Sequence, residues 1–179
     1  MTDESNCICE FIVEARTWAL ELEKVPEEQR GHLYGLPMSI KECFKVKGYY
    51  ATAGMSRFLD HPTPEDGQFV KGLKDNGAIP FCLTNVSQTM KSYGCSNPIY
   101  GVTSNPMSKL RSPGGSSGGE ASLIASGGSL LGIGTDVGGS LRIPAHFCGA
   151  VGMKPTTGRI YQKGRISSAQ VNFYFFLFL

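Results

Sequence analysis

The sequence has little of several features that mark common classes of protein. Its six cysteines are scattered without a CxxC pair, which argues against a zinc knuckle and against a dense disulfide framework. The formal net charge is only +2, so no long-range attraction to nucleic acid or to an anionic membrane is expected. No apolar run reaches the roughly 18 residues of a membrane span, and nothing resembles a signal peptide. We therefore expect one globular domain in a reducing compartment, cytoplasmic or membrane-associated rather than secreted.

Two glycine-flanked serine turns, at residues 114–119 and 138–140, are the most distinctive feature that is present. Glycine loses more backbone freedom on folding than any other residue, so such runs imply a specific need. That need is either a positive φ at a tight turn or a bare backbone whose N–H groups can approach another molecule. A flexible linker is disfavoured, because both runs are short and adjoin apolar segments.

Apolar periodicity predicts alternating helices and strands. Helices are predicted over 6–25, 64–77 and 120–126, and buried strands over 36–40, 78–83 and 130–134. Residues 94–113 have little periodicity and are predicted to form a long loop. This order indicates a layered α/β fold with the second serine turn at the C-terminal end of a strand, the edge where open α/β sheets bind ligands.

Common binding and catalytic motifs do not account for the serine turns. Glu120 stands where a phosphate loop needs lysine, and Val137 stands where a dinucleotide fingerprint needs glycine. Residues 114–118 fit the nucleophile elbow G-x-S-x-G, but that site also needs a well-placed histidine. His146 lies only six residues after Ser140, and the other two histidines fall in predicted loops. A Ser-His-Asp triad is therefore disfavoured.

A serine nucleophile served by a lysine base is the remaining catalytic hypothesis. A serine hydroxyl needs a partner that takes its proton. Lys41 lies between apolar flanks at a predicted strand end, and an amine in an apolar site loses its charge more readily. The local pattern alone also fits an ordinary lysine whose chain lies along the surface. If Ser116 relays the proton, Lys41, Ser116 and Ser140 suffice without histidine. An oxyanion would then be bound by the backbone N–H groups of Val137, Gly138, Gly139 and Ser140.

Three segments, 35–42, 112–119 and 134–142, resemble the motifs of the amidase signature family, whose hallmark is a Ser-Ser-Lys triad. Lys41 precedes Ser116 by 75 positions and Ser116 precedes Ser140 by 24, which is similar to the spacing in animal fatty-acid amide hydrolases. The resemblance implies part of an α/β/α layered fold around a mixed sheet.

The resemblance also implies roles for individual residues. Ser140 is the implied nucleophile, Lys41 the base and later the acid, and Ser116 the bridging serine, held by a cis peptide bond. Ser117 and Arg142 are implied to support the two turns structurally.

A fatty-acyl amide is the substrate that the resemblance implies, hydrolysed through an acyl-enzyme without a metal or an organic cofactor. Peripheral membrane contact stays open, and no nucleic acid partner is implied. Glu120 and residues 95–98 are more similar to fatty-acid amide hydrolases than to the glutamine-hydrolysing component of transamidating complexes, which remains an alternative.

The resemblance stops near Arg165, whereas the family's domain continues much further. We therefore expect a partial amidase signature domain at 1–165 and a divergent hydrophobic tail at 166–179, whose FYFFLFL run is too short to span a bilayer and prone to aggregate when exposed. Two alternatives follow. One is a catalytically dead fragment that binds lipid or protein through exposed apolar surface, and the other is a binding module whose glycine loops hold an anion.

Overall fold

The computed structural model describes residues 5–156, 158, 159, 164 and 166 and the backbone of the strand at 174–178. Its strands are β1 (Ile8–Phe11), β2 (Pro37–Lys41), β3 (Ile79–Thr84), β4 (Ser96–Asn97), β5 (Gly101–Val102), β6 (Gly132–Asp136), β7 (Gly152–Met153) and β8 (Tyr174–Phe178). Its α-helices are α1 (Ala15–Leu22), α2 (Gln68–Asp75), α3 (Gly118–Ala125) and α4 (Arg142–Cys148). Short 3-10 turns occupy Glu27–Gln29, Ser56–Phe58 and Gln88–Met90.

A mixed sheet in the order β1-β3-β2-β6-β8-β7 forms the centre of the fold. Strand β2 runs parallel to both β3 and β6, whereas β1, β8 and β7 join their neighbours antiparallel. The expected α/β fold with a mixed sheet is confirmed. The C-terminal ends of β2, β3 and β6 therefore lie together at one edge of the sheet.

Strand β2 shows how the sheet separates an apolar core from a polar interior. Met38 and Ile40 are buried in the main hydrophobic cluster, which α2 joins through Val70 and Leu73. Ser39 and Lys41 alternate with them and point to the opposite face, where α3 packs. Burying each large apolar side chain stabilises the fold by about 1.5–3 kcal/mol, which offsets the cost of holding a lysine inside.

The strands and helices predicted at 36–40, 64–77, 78–83, 120–126 and 130–134 are confirmed, with shifted ends. The predicted helix over 6–25 is wrong in its first part. Residues Ile8–Phe11 form β1, and the helix begins only at Ala15. The backbone of β1 pairs with the edge of β3, a tertiary contact that overrides local apolar spacing. The predicted loop at 94–113 contains the two-residue strands β4 and β5.

The sequence FYFFLFL contributes β8, which pairs antiparallel with β6 on one side and with β7 on the other. The rest of the predicted tail at 167–173, and residue 179, lie outside the described residues. In the part of the chain that the structure describes, no helix has the length and apolar character needed to cross a membrane.

Candidate active site

The amine of Lys41 lies in a fully buried cluster of hydroxyl groups. Lys41 is the last residue of β2, and its side chain is 0% exposed. Its Nζ lies 2.7 Å from Ser116 Oγ, 2.9 Å from Ser117 Oγ and 2.7 Å from Thr135 Oγ1. A hydroxyl can donate to an amine as well as accept from one, so this geometry allows a proton to pass between Ser116 and Lys41.

The two serine turns are joined directly by their backbones. Ser117 N–H donates to the carbonyl of Ser140 at 3.0 Å. Ser117 Oγ donates to the Thr135 carbonyl and accepts from the Thr135 N–H, each at 3.2 Å. The peptide bond between Gly115 and Ser116 is cis, as the resemblance implied. Ser116, Ser117 and Lys41 therefore form one buried group, and Ser140 lies half-buried beside it.

Both uses expected for glycine occur in the serine turns. Gly115 approaches the chain so closely that an added Cβ would lie 2.2 Å from the Gly94 carbonyl oxygen. Gly139 has a φ of +111°, a conformation that other residues rarely adopt. The glycines therefore allow close backbone contact at the first turn and a sharp reversal at the second.

Asp136 organises the second serine turn. Its carboxylate accepts from the N–H groups of Gly139, Leu141 and Arg142, and the Arg142 guanidinium binds both of its oxygens at 2.9 Å. Burial alone would raise the pKa of Asp136, but these hydrogen bonds outweigh it and lower the pKa. The turn is therefore held around an ionised carboxylate with which Arg142 forms an ion pair.

One of the four N–H groups implied for the oxyanion already has a partner within the turn. Gly139 N–H donates to Asp136 Oδ1 at 2.7 Å, so it faces the carboxylate that holds the turn. Within the described residues, the N–H groups of Val137, Gly138 and Ser140 form no hydrogen bond to a protein acceptor. Gly139 therefore differs from the other three implied donors.

A second buried carboxyl, Glu120, lies on the same face of the sheet as Lys41. Ser39 Oγ donates to Glu120 Oε2 at 2.6 Å, and Thr84 Oγ1 donates to Oε1 at 2.9 Å. Burial raises the pKa of Glu120 to about 8, although both hydrogen bonds and the charge of Lys41 act in the opposite direction.

Sequence reasoning did not assign roles to Thr135, Asp136 or Glu120. The first two stand inside the motif at 134–142, so their position beside Ser140 in the sequence was the available signal. The three histidines are exposed, and none hydrogen-bonds to the buried group among the described residues. In that same part of the chain, no three His, Cys, Asp or Glu side chains lie close enough to share a metal ion.

Comparison with known proteins gives a consistent result. The family model described as Amidase matches residues 1–173. The chain is 50% identical over 165 residues to fatty acid amide hydrolase 1 of Caenorhabditis elegans, a match that covers 90% of this chain and 29% of that protein. It is 39% identical over 153 residues to a glutamyl-tRNA(Gln) amidotransferase subunit of Methanococcoides burtonii, covering 84% of this chain and 32% of that protein.

A solved structure of a fatty acid amide hydrolase superposes with a TM-score of 0.92 at 32% identity. That superposition covers 99% of this chain and 32% of the other. The chain therefore spans about a third of the length of the relatives that it matches.

Proposed function

This chain belongs to the amidase family, and on that premise we propose that it holds the catalytic centre of a serine amidohydrolase. The observation that supports the proposal most directly is the 2.7 Å contact between the buried Lys41 amine and Ser116 Oγ. A buried amine among hydroxyl groups is poised to act as a base, because burial disfavours its charged form.

In the proposed reaction, Ser140 Oγ attacks the carbonyl carbon of an amide. Its proton passes to Ser116 Oγ while the proton of Ser116 passes to neutral Lys41 Nζ. The C–N bond then breaks as Lys41 returns a proton to the leaving amine through Ser116. Water hydrolyses the resulting acyl-enzyme by the same relay. The hydrogen bond between Ser117 N–H and the Ser140 carbonyl, at 3.0 Å, supports this route because it ties the two serine turns together.

We assign the oxyanion to the N–H groups of Val137, Gly138 and Ser140. Backbone donors that are already oriented stabilise developing negative charge without reorganising during the reaction. Asp136 keeps them oriented, since it binds the N–H groups of Gly139, Leu141 and Arg142 at 2.7, 3.2 and 3.3 Å. Gly139 is thus a positioning residue in this proposal rather than an oxyanion donor.

Fatty-acyl amides are the substrate class that we propose. The support is the 50% identity to a protein named fatty acid amide hydrolase 1 and the TM-score of 0.92 to a structure of the same name. The similarity to a component of an amidotransferase favours glutamine as a second candidate substrate. Release of ammonia from a long-chain primary amide, compared with release from glutamine, separates the two.

The nucleophile is tested with a fluorophosphonate probe on the purified chain. We expect covalent labelling, with the adduct mapped to Ser140 by mass spectrometry and lost in Ser140→Ala. Ser96→Ala, which removes an exposed hydroxyl on β4, is the matched control and should label normally. Labelling that persists in Ser140→Ala would show that another residue is the nucleophile. A folded wild-type chain that takes no label would instead support the catalytically dead fragment.

A further inference from the structure

The sequence at the start of helix α3 contains a capping motif that the structure does not use as a cap. Ser117 and Glu120 have the S-x-x-E spacing of a capping box, in which each side chain would bind a backbone N–H at the helix start. Neither does so, because α3 has no side-chain cap hydrogen bond. Ser117 Oγ instead lies 2.9 Å from the Lys41 amine, and the Glu120 carboxyl contacts β2 and β3. Both side chains therefore contact the sheet face that carries Lys41 and not the backbone at the helix start.

Two residues beside Lys41 hold the Glu120 carboxyl, and a third contacts the lysine itself. Ser39, which donates to Oε2 at 2.6 Å, lies two residues before Lys41 on the same face of β2. Thr84, which donates to Oε1 at 2.9 Å, is the residue paired with Lys41 in the parallel ladder between β2 and β3. Ser117, one helical turn before Glu120, contacts the Lys41 amine itself.

The sheet also leaves room for this carboxyl. Gly132 in β6 pairs with Ser39, and a Cβ at Gly132 would lie 2.2 Å from Glu120 Oε2. Burying a carboxyl that is 0% exposed and enclosed by three strands costs free energy, which its hydrogen bonds to Ser39 and Thr84 offset in part.

We propose that Glu120 is a positioning residue for the reaction: its carboxyl, held by Ser39 and Thr84 on the sheet face that carries Lys41, sets the charge state of the lysine. This inference rests on the proposed function, in which neutral Lys41 is the base. An ionised Glu120 favours the ammonium form of Lys41, and a protonated Glu120 favours the neutral base. The pair therefore sets the pH above which the base is available.

Among the described residues, the titratable groups whose charges interact with that of Glu120 are Lys41 on β2, Cys82 on β3 and Cys7 just before β1. Burial raises the pKa of both thiols, and the charge of Glu120 adds to that effect. The thiols are therefore neutral at physiological pH, and Lys41 is the facing group whose charge Glu120 controls.

The test is the pH dependence of labelling at Ser140 in Glu120→Gln. Glutamine keeps the size of the side chain and one acceptor oxygen, replaces the other oxygen with an N–H donor, and removes the negative charge. The labelling rate should rise with pH as Lys41 loses its proton, and in Glu120→Gln the midpoint of that rise should move to lower pH by about one unit. Glu65→Gln, a change at an exposed carboxylate, is the control and should leave the midpoint in place.

A midpoint that stays put or moves to higher pH in a folded Glu120→Gln variant would overturn the inference and leave the proposed function intact. Absence of labelling in the folded wild type would overturn both.

If Glu120→Gln does not fold, Thr84→Val provides the test, because it removes one hydroxyl that stabilises the carboxylate. Its midpoint should also move to lower pH, by less, whereas Thr84→Ser keeps the hydroxyl and should match the wild type. An unchanged midpoint in Thr84→Val would then reject the inference.

Discussion

At the scale of single residues, the proposed site depends on one amine placed among hydroxyl groups that are distant in sequence. Lys41 contacts Ser116, 75 positions away, and Thr135, 94 positions away. The motifs predicted that Lys41 and Ser116 act together, because the resemblance supplied their pairing. Glu120 had no such signal, and Thr135 had only its place inside the motif at 134–142, because side-chain contacts across a sheet follow from tertiary packing rather than from local pattern.

Replacing the proposed base should cost activity in a way that depends on pH. Lys41→Met keeps an unbranched side chain but removes the amine, and general-base catalysis typically contributes about 10²–10⁴-fold. We expect a loss of that order in the rate of Ser140 labelling near neutral pH and a smaller loss at high pH, where hydroxide can replace the base. Lys47→Met, at an exposed lysine, should have no effect. An equal loss at all pH values would indicate a structural rather than a catalytic role.

At the scale of secondary structure, the apolar pattern predicted β2, α2, β3, α3 and β6, because each buries a continuous apolar face in the core. It did not predict β1, because the backbone pairing of Ile8 with Thr84 is invisible in the sequence of the segment itself. The serine turns were also located correctly, since their glycines have a local cause that sequence can display.

Two helical glycines should respond in opposite directions to the same substitution. Gly72 in α2 has no neighbouring atom within 4 Å of an added Cβ, so Gly72→Ala should stabilise the fold by up to about 1 kcal/mol. A Cβ at Gly119 in α3 would lie 2.3 Å from the backbone nitrogen of Asn85, so Gly119→Ala should destabilise it by about 1–3 kcal/mol. Thermal unfolding of both variants measures the difference. Equal shifts would mean that α3 does not pack against the end of β3 as described.

At the scale of the whole molecule, two buried carboxyls make stability depend on pH. Glu42 accepts hydrogen bonds from Thr52 and Ala53, but its burial dominates and raises its pKa from 4.5 to about 7. The pKa of Glu120 is raised from 4.5 to about 8 by the same cause. A raised folded-state pKa means that the folded chain binds the proton more tightly than the unfolded chain. The stabilisation that each of these carboxyls contributes is complete below about pH 4.5. It is lost as the pH rises through about 7 for Glu42 and through about 8 for Glu120.

We therefore expect the melting temperature to fall as the pH is raised from about 5 to 8. Glu42→Gln should flatten the part of this slope that Glu42 contributes, which corresponds to about 3 kcal/mol. Asp136 acts in the opposite sense, because its lowered pKa adds stability at higher pH that is lost in acid. A melting temperature that rises steadily from pH 5 to pH 8 would contradict this account of the buried carboxyls.

The placement of β8 leads to the last prediction. Strand β6 carries Thr135 and leads into the turn of Ser140, and β8 pairs with all five of its residues, Gly132–Asp136. Without β8, the edge of β6 would expose a row of unpaired backbone donors and acceptors. We keep the division between a domain at 1–165 and a tail at 166–179 as a proposal, and we expect the end of that tail to protect β6.

Phe176→Pro tests this expectation, because Phe176 pairs with Gly134 and proline cannot donate to the ladder. The variant should melt at lower temperature, form larger aggregates in light scattering and label more slowly at Ser140. Phe176→Val, which keeps an apolar residue of high strand propensity, should stay closer to the wild type in melting temperature, aggregate size and labelling rate. If Phe176→Pro matches the wild type in stability, aggregation and labelling, then β6 does not depend on β8, and its edge is protected in another way.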